Sequence, residues 1–419
     1  MSNVSCHRIE SILILNCFHS IYFKMISEDQ ISEVIQIIAT NLRIKEWSYE
    51  KQSFKNIAQN YFGVLIPVSL FNLSNEDNVK LELVLKLAPT NEQYRVSGAV
   101  TTMFQKEIFV YTTIMPTYRK FQNDIKHLQF LIPECYHVCK EYCKEVIVMQ
   151  NMCADGFMPF VESLVLDYNH ILLSLKCLAQ FHAMSFILKE TEHRLYKDIE
   201  EICVPLSRQT NKRFMDILKD RLMKAINNFS KSQYVQLFNY LFENCEQLVE
   251  DTFKNVNGLC LCHGDVWKEN FLYKYLKDEP ISACLIDYQT VRLSSPAYDV
   301  LYLIVSSTTS ELRHRYYPQL LNIYYETFEE ILNEAQLNVG TLYSRAMFNE
   351  DLSSVAPACL IIANTAIWLS SGLQEEGHVR SKVQLNTDFE KKMAAEHYED
   401  RLTRIIEDLK SYEYLNFSC

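Results

Sequence analysis

Two stretches decide how this chain is read: "LCHGDVWKENFLYKY", Leu261–Tyr275, and "LIDYQTVRLSSPAYD", Leu285–Asp299. Only 8 glycines occur in 419 residues, where average usage of roughly 7% would give several times as many. One of them, Gly264, stands between His263 and Asp265. Gly258–Cys262 reads as a short strand with Cys260 and Cys262 on one face, and His263–Asn270 as a loop. Phe271–Tyr275 and Ser282–Ile286 read as a hairpin through "LKDEP". Ser295-Pro296 opens a helix, with Pro296 at its first position and Asp299 in its first turn.

Ahead of these stretches the pattern is mixed. Ile31, Val34, Ile35, Ile38 and Leu42 recur at helical spacing. Tyr61–Phe71 and Val79–Leu87 read as strands. In the second, Leu81, Leu83, Leu85 and Leu87 share one face, and Glu82, Val84 and Lys86 the other. Met103–Met115 reads as a helix carrying Glu107. Lys144–Met149 reads as a buried strand running into the polar connector "QNMCADGF". From Asp167, a plausible N-cap, the chain becomes largely helical. His182, within "AQFHAMSF", reads as a satisfied core histidine rather than a ligand.

A loop between a strand and a hairpin holds polar side chains above a cleft. Asp265 there is placed to orient a hydroxyl and accept its proton. Asn270 and Asp287 are oxygen donors at the two ends of one hairpin, which folding brings together, so both suit a hard cation such as Mg²⁺. Lys86 is a candidate partner for phosphate oxygens, with Glu107 to hold it. Base, metal ligands and lysine are the parts that phosphoryl transfer to an alcohol needs.

These motifs resemble the aminoglycoside phosphotransferase and choline kinase branch of the protein-kinase-like fold, and more narrowly the ecdysteroid kinase-like family. "LVLKLAP", "FQKEIFVY" and "CLAQFHAMSF" agree with the same family, in the same order. The resemblance covers nearly the whole chain from about Met25. It implies an α+β, two-lobed fold: a small N-terminal lobe with an antiparallel sheet over residues 25–153, and a larger, mainly helical lobe over 154–419, after an extension of residues 1–24. It implies Asp265 as catalytic base, Asn270 and Asp287 as metal ligands, and ATP and Mg²⁺ as cofactors. Lys86 matches the lysine that contacts ATP phosphates and Glu107 its partner. Asn60, Tyr61 and Gly63 match the segment that covers the phosphates. Gln150 and Met152 lie where the connector between lobes meets adenine through its backbone. Asp299 matches a helix aspartate that braces the catalytic loop, and Gly264 a tight turn beneath Asp265.

The acceptor implied is a small-molecule alcohol, an ecdysteroid or another lipophilic alcohol. Two alternatives stand beside it. One is a choline- or aminoglycoside-type kinase, whose cationic acceptor would want an acidic pocket. The other is a non-catalytic nucleotide binder, motivated by Ala58 and Gln59 in "KNIAQNYFGVLI", where the family usually has glycine. A net charge of -11 argues against non-specific nucleic-acid binding. The 14 cysteines have neither zinc spacing nor the setting of a small disulfide scaffold, and read as free thiols in a reducing, cytoplasmic compartment. Ile9–Phe23 is apolar but too short to span a bilayer, and no other segment reads as a membrane span.

Overall fold

The computed structural model describes residues 28–54, 63–73, 80–373 and 385–415. The extension 1–24, Asn60 and Tyr61 lie outside the described residues. The chain forms two compact units. The first comprises the residues up to Phe104, except for a short stretch near residue 57, together with Pro133–Asn151; the second comprises chiefly Gln105–Ile132 and everything from Met152 onward.

The first unit is built on five antiparallel strands: β1 (Trp47–Lys51), β2 (Val64–Asn72), β3 (Lys80–Leu87), β4 (Cys135–Cys139) and β5 (Val146–Gln150). Their order is β1-β2-β3-β5-β4. The leucine face of β3 explains its place. Leu83, Leu85 and Leu87 pack with Val68, Leu70 and Val148 against Ile31, Ile35 and Ile38 of helix α1 (Glu28–Asn41). Those three isoleucines fall on one side of the helix because they are spaced by four and three residues. The opposite face of β3 is also covered: Val84 is buried, and Lys86 is 2% exposed. Helices α2 (Glu92–Gly98) and α3 (Val100–Phe109) follow β3, and the second half of α3 belongs to the second unit.

The second unit is mainly helical. After a π-helical turn at Val110–Ile114 come α4 (Met115–Asp124), the two-residue β6 (Phe157–Met158) and α5 (Tyr168–Thr191). The side chain of Asp167 accepts from the His170 backbone N–H at 3.0 Å, the N-cap expected from sequence. Then follow α6 (His193–Ile202), α7 (Lys212–Asn228), α8 (Val235–Glu243) and α9 (Cys245–Lys254). Strand β7 (Cys260–Cys262) enters the loop quoted above, and the hairpin β8 (Phe271–Leu276) and β9 (Glu279–Leu285) leaves it. Strand β10 (Arg292–Ser294) pairs antiparallel with β7. Helices α10 (Pro296–Ser307), α11 (Ser310–Glu334), α12 (Val339–Leu342), α13 (Arg345–Ser371) and α14 (Asp388–Ser411) complete the unit.

Strand β9 starts three residues earlier than the hydrophobic pattern predicts. Lys277 and Asp278 both take the left-handed conformation, at φ 51° and 66°, so they alone form the turn. A register shift beside Tyr275 then lets Pro280 sit opposite that residue.

Two helical stretches, Tyr168–Thr191 and Val339–Ser371, are long and apolar enough to cross a membrane, which the sequence reading did not anticipate. Their most apolar windows are 78% and 83% buried inside the protein, as core helices are. The described cysteines are free thiols, most of them buried.

Candidate active site

Strands β7 and β10 form the floor from which the loop springs. Cys262 pairs with Arg292 and Cys260 with Ser294. Their shared face brings the Cys260 and Cys262 sulfurs to 3.7 Å. Beyond Cys262 the backbone turns sharply, and one side chain fixes that turn. Asp299, fully buried in the first turn of α10, accepts the His263 N–H at 2.7 Å and the Gly264 N–H at 3.0 Å. The oxygen that accepts from His263, Oδ2, also meets His182 Nε2 at 3.2 Å. The His182 Nδ1 lies 2.8 Å from the Tyr324 hydroxyl. The histidine is therefore satisfied on both nitrogens, as its sequence setting predicted.

Burial disfavours charge on both members of this pair, and their mutual hydrogen bond opposes that. For His182 the bond to Asp299, aided by Cys262, wins and raises its pKa to about 9. For Asp299 burial pulls upward, but His182 hydrogen bonding and the nearby positive charge hold its pKa below the ordinary carboxylate value. A histidine raised in this way stabilises the fold fully below its unfolded value of about 6.5, and that contribution is lost as pH rises through about 9. Between these values the melting temperature of the wild-type protein is expected to fall more steeply than that of His182→Gln. Parallel slopes in a thermal-melt series would show that the pair carries no such charge.

Gly264 has φ 84°, where a β-carbon is strained. Such a carbon would also lie 2.3 Å from an Arg292 guanidinium nitrogen and 2.6 Å from the Thr290 carbonyl oxygen. Arg292, 7% exposed, thus fills the space that a side chain at 264 would claim. Its guanidinium carbon is 4.9 Å from the Tyr298 ring centroid, within cation–π range. Gly264→Ala is expected to cost about 3 kcal/mol from strain plus overpacking, and to displace the loop. Thermal melts and the far-ultraviolet spectrum check this: an unchanged melting temperature would contradict it.

Asp265 follows, half-buried. Desolvation, then the charge of Asp287, push its carboxyl up to about 6, against the pull of Arg292 and hydrogen bonds from Asn270 and Tyr302. The Asn270 amide donates to the Asp265 backbone carbonyl at 2.7 Å and to its carboxylate at 3.3 Å. The Tyr302 hydroxyl reaches the other carboxylate oxygen at 3.4 Å. The hairpin does what its sequence suggested. Phe271 pairs with Leu285, and the Ile286 N–H donates to the Asn270 carbonyl at 3.0 Å. Asp287 comes next, in the left-handed conformation at φ 69°. With its NH₂ committed to Asp265, the Asn270 amide turns its oxygen away from that residue. An amide oxygen and a carboxylate are each oxygen donors of the type Mg²⁺ takes. The Asp287 charge, which raises the cost of ionising Asp265, is of the sign a cation would offset.

The remaining predicted site residues are distributed between the units. In the first, Lys86 is flanked by Leu65 and Ile147 across β2 and β5. Gly63 packs on it: a β-carbon there would lie 3.4 Å from Lys86 Cγ. Gln150 ends β5, and its side-chain oxygen accepts the Glu134 N–H at 3.1 Å. In the second, Glu107 is 1% exposed on α3. Met152 is a core residue packed with Phe157, Leu272 and Cys284. Sequence reading missed Arg292 and Tyr302. Tyr302 was findable, since it lies three residues after Asp299 and so shares its helix face. Arg292 carried no signal: a lone arginine after a turn reads as a surface charge.

A strand, a histidine-glycine-aspartate loop braced by a buried helix carboxylate, and a hairpin returning a second aspartate define a kinase-like protein. The chain belongs to the ecdysteroid kinase-like family, which matches residues 57–337, more than half of it. No curated protein matches the sequence significantly. Among solved structures, similarity is found to a GDP and kanamycin complex of an aminoglycoside phosphotransferase, at 14% identity over 92% of this chain and 99% of that one, TM-score 0.38. The choline kinase LicA from Streptococcus pneumoniae is 12% identical over 89% and 99% of the two chains, TM-score 0.35. A fructosamine-3-kinase homologue from Haemophilus somnus is 12% identical over 92% and 99%, TM-score 0.38.

Proposed function

We propose that this protein transfers the γ-phosphate of ATP to a hydroxyl of a lipophilic alcohol, an ecdysteroid or a molecule like it. The observation that carries this reading is Asp265. It is a half-buried carboxyl pushed up to about 6, pinned by Asn270 on one oxygen and facing the charge of Asp287. Such a group is ionised at neutral pH yet basic enough to take a proton from an alcohol in the transition state. The alcohol oxygen forms the new bond to the γ-phosphorus, its proton passes to Asp265, and the bond to the bridging oxygen breaks, releasing ADP.

Asn270 and Asp287 are the residues that would hold Mg²⁺, which when bound neutralises charge on the transferring phosphate. In this reading Lys86 contacts the ATP phosphates and Glu107 supports it. Asn60, Tyr61 and Gly63 supply the segment over the phosphates, and the backbone at Gln150 and Met152 meets adenine. Lys86 and Glu107 are among the most buried charged side chains of the chain, at 2% and 1% exposure.

The test is Mg²⁺-dependent ADP formation by purified protein against a panel of ecdysteroids, other sterols, choline and aminoglycosides. Stimulation by an alcohol, absent without Mg²⁺, is the expected result. ATP binding seen as a melting-temperature shift, with no acceptor stimulating turnover, would instead point to the nucleotide binder without catalysis.

A further inference from the structure

A second set of chemically matched side chains lies where helix α5 begins and strand β8 passes it. Asp167 caps α5, and the oxygen that serves as the cap also lies 2.8 Å from His170 Nδ1. A carboxylate only accepts, so Nδ1 carries the proton and Nε2 is left as an acceptor. Nε2 takes the O–H of Tyr275 at 2.8 Å. The His170 side chain is 5% exposed and held by rings. Phe160 lies against it at 4.2 Å between centroids, and Tyr273 meets it edge-on at 4.7 Å.

The phenol at the end of this chain is partly open to solvent. Tyr273, two residues earlier on β8, is fully buried, with its hydroxyl 2.7 Å from that of Ser174. Tyr275 is only half-buried. The register shift beside it leaves Ile281 as an extra residue, since Lys274 pairs with Ser282 and Tyr275 with Pro280. Such an extra residue bends a strand and re-aims the side chains beside it, a device common next to active sites. Leu276 and Ile281, adjoining Tyr275 and Pro280 along the hairpin, are 61% and 51% exposed. Burial, then the charges of Glu162 and Asp167, push the Tyr275 phenol above its ordinary value. It is therefore protonated at neutral pH and needs a base to become a nucleophile. A base within hydrogen-bond reach, itself oriented by a third group, is the arrangement that activates hydroxyl nucleophiles.

We propose that Asp167, His170 and Tyr275 form a second reactive site, in which Tyr275 accepts an acyl group from an uncharged, activated acyl donor. As the phenol oxygen bonds to the acyl carbonyl carbon, its proton passes to His170 Nε2, and the Asp167 charge steadies the imidazolium. The bond from that carbon to the leaving group then breaks, and His170 gives the proton to the leaving oxygen or sulfur. The product is a tyrosyl ester. Two features set the donor class. The leaving group of a tyrosyl ester is a phenol of pKa about 10, so an alkyl ester cannot drive its formation, whereas an aryl ester or a thioester can. The charges of Glu162 and Asp167 disfavour an anionic donor, and Leu276 and Ile281 offer apolar surface to an acyl chain. The assignment uses none of the residues placed around Asp265 and is independent of the phosphotransferase reading.

The experiment is incubation of the full-length protein with p-nitrophenyl butyrate, an uncharged aryl ester. The adduct is located by intact mass and peptide mapping, and its rate of formation is followed. Butyrylated Tyr275 is expected in the wild type, and its absence in Tyr275→Phe. Asp167→Asn keeps the helix cap and an acceptor for Nδ1–H but removes the charge. It is expected to slow labelling of Tyr275 about tenfold, with a melting temperature within about two degrees of wild type. A purely structural carboxylate would leave the labelling rate unmoved. His170→Gln is expected to slow labelling about 10²-fold. Absence of a butyryl group on Tyr275 of the wild type overturns the assignment, whether or not other side chains are labelled. Equal labelling rates in wild type and Asp167→Asn overturn it too, because Tyr275 is then only an accessible phenol, and this comparison stands even where His170→Gln fails to fold.

Discussion

Asp265→Asn is expected to lower acceptor phosphorylation by about 10²–10⁴-fold while Mg-ATP still binds. The substitution preserves shape. The strongest contact that Asn270 makes in the loop, 2.7 Å to the backbone carbonyl of residue 265, does not involve the altered group. The loop geometry therefore survives, and what disappears is the carboxylate proposed to take the proton. Removing a carboxylate beside Asp287 also relieves like-charge repulsion, so the variant should be no less stable than wild type. Single-turnover rates with the best acceptor, beside the melting-temperature shift induced by Mg-ATP, separate the two effects. A variant that turns over within a factor of a few of wild type would remove Asp265 from the chemistry.

Asp299→Ala is expected to produce the largest loss of stability of any single change near the site. The carboxylate satisfies two buried backbone N–H groups and a buried histidine whose pKa lies at about 9. Removing one member of a buried charge pair costs about 3–5 kcal/mol, because the other is left uncompensated. In a protein of this size that corresponds to a fall in melting temperature on the order of 10 °C. Asp299→Asn should lie between, since an amide still accepts at one oxygen but presents a donor to a donor at the other. Differential scanning fluorimetry of the two variants and of Asp299→Ala/His182→Leu checks this. Partial recovery in the double variant is expected, because both charges are then gone.

Much of the site was legible in the sequence because its chemistry is local. The HGD loop, the hairpin and the first turn of α10 lie within 37 residues of one another, and each has a turn or cap signature. Elements whose identity depends on distant partners were not legible. Strand β4, "CYHVC", is partly exposed at every position and has a register shift between Cys135 and His137. It therefore shows none of the alternation that betrays a strand, and its cysteines drew attention instead. Strand β1 at the opposite edge, "WSYEK", also went unread, being only five residues long with exposed positions at Ser48, Glu50 and Lys51. Arg292 is informative only once Gly264 is seen beneath it. Lys86 read from sequence as either a solvated edge residue or a ligand, and its burial, with both faces of β3 covered, excludes the solvated edge.

The bracing of the loop by Asp299 also sets an order of events in folding. Its three donors come from positions 117, 36 and 35 residues away along the chain. No local segment can assemble that arrangement, and the entropy of closing such separations must be overcome before the contacts form. The Asp265 loop therefore reaches its native conformation only after α5 and α10 have packed, late in the assembly of the second unit. During refolding, helical signal should return before activity, and recovered activity should report the fraction of chains whose second unit is complete.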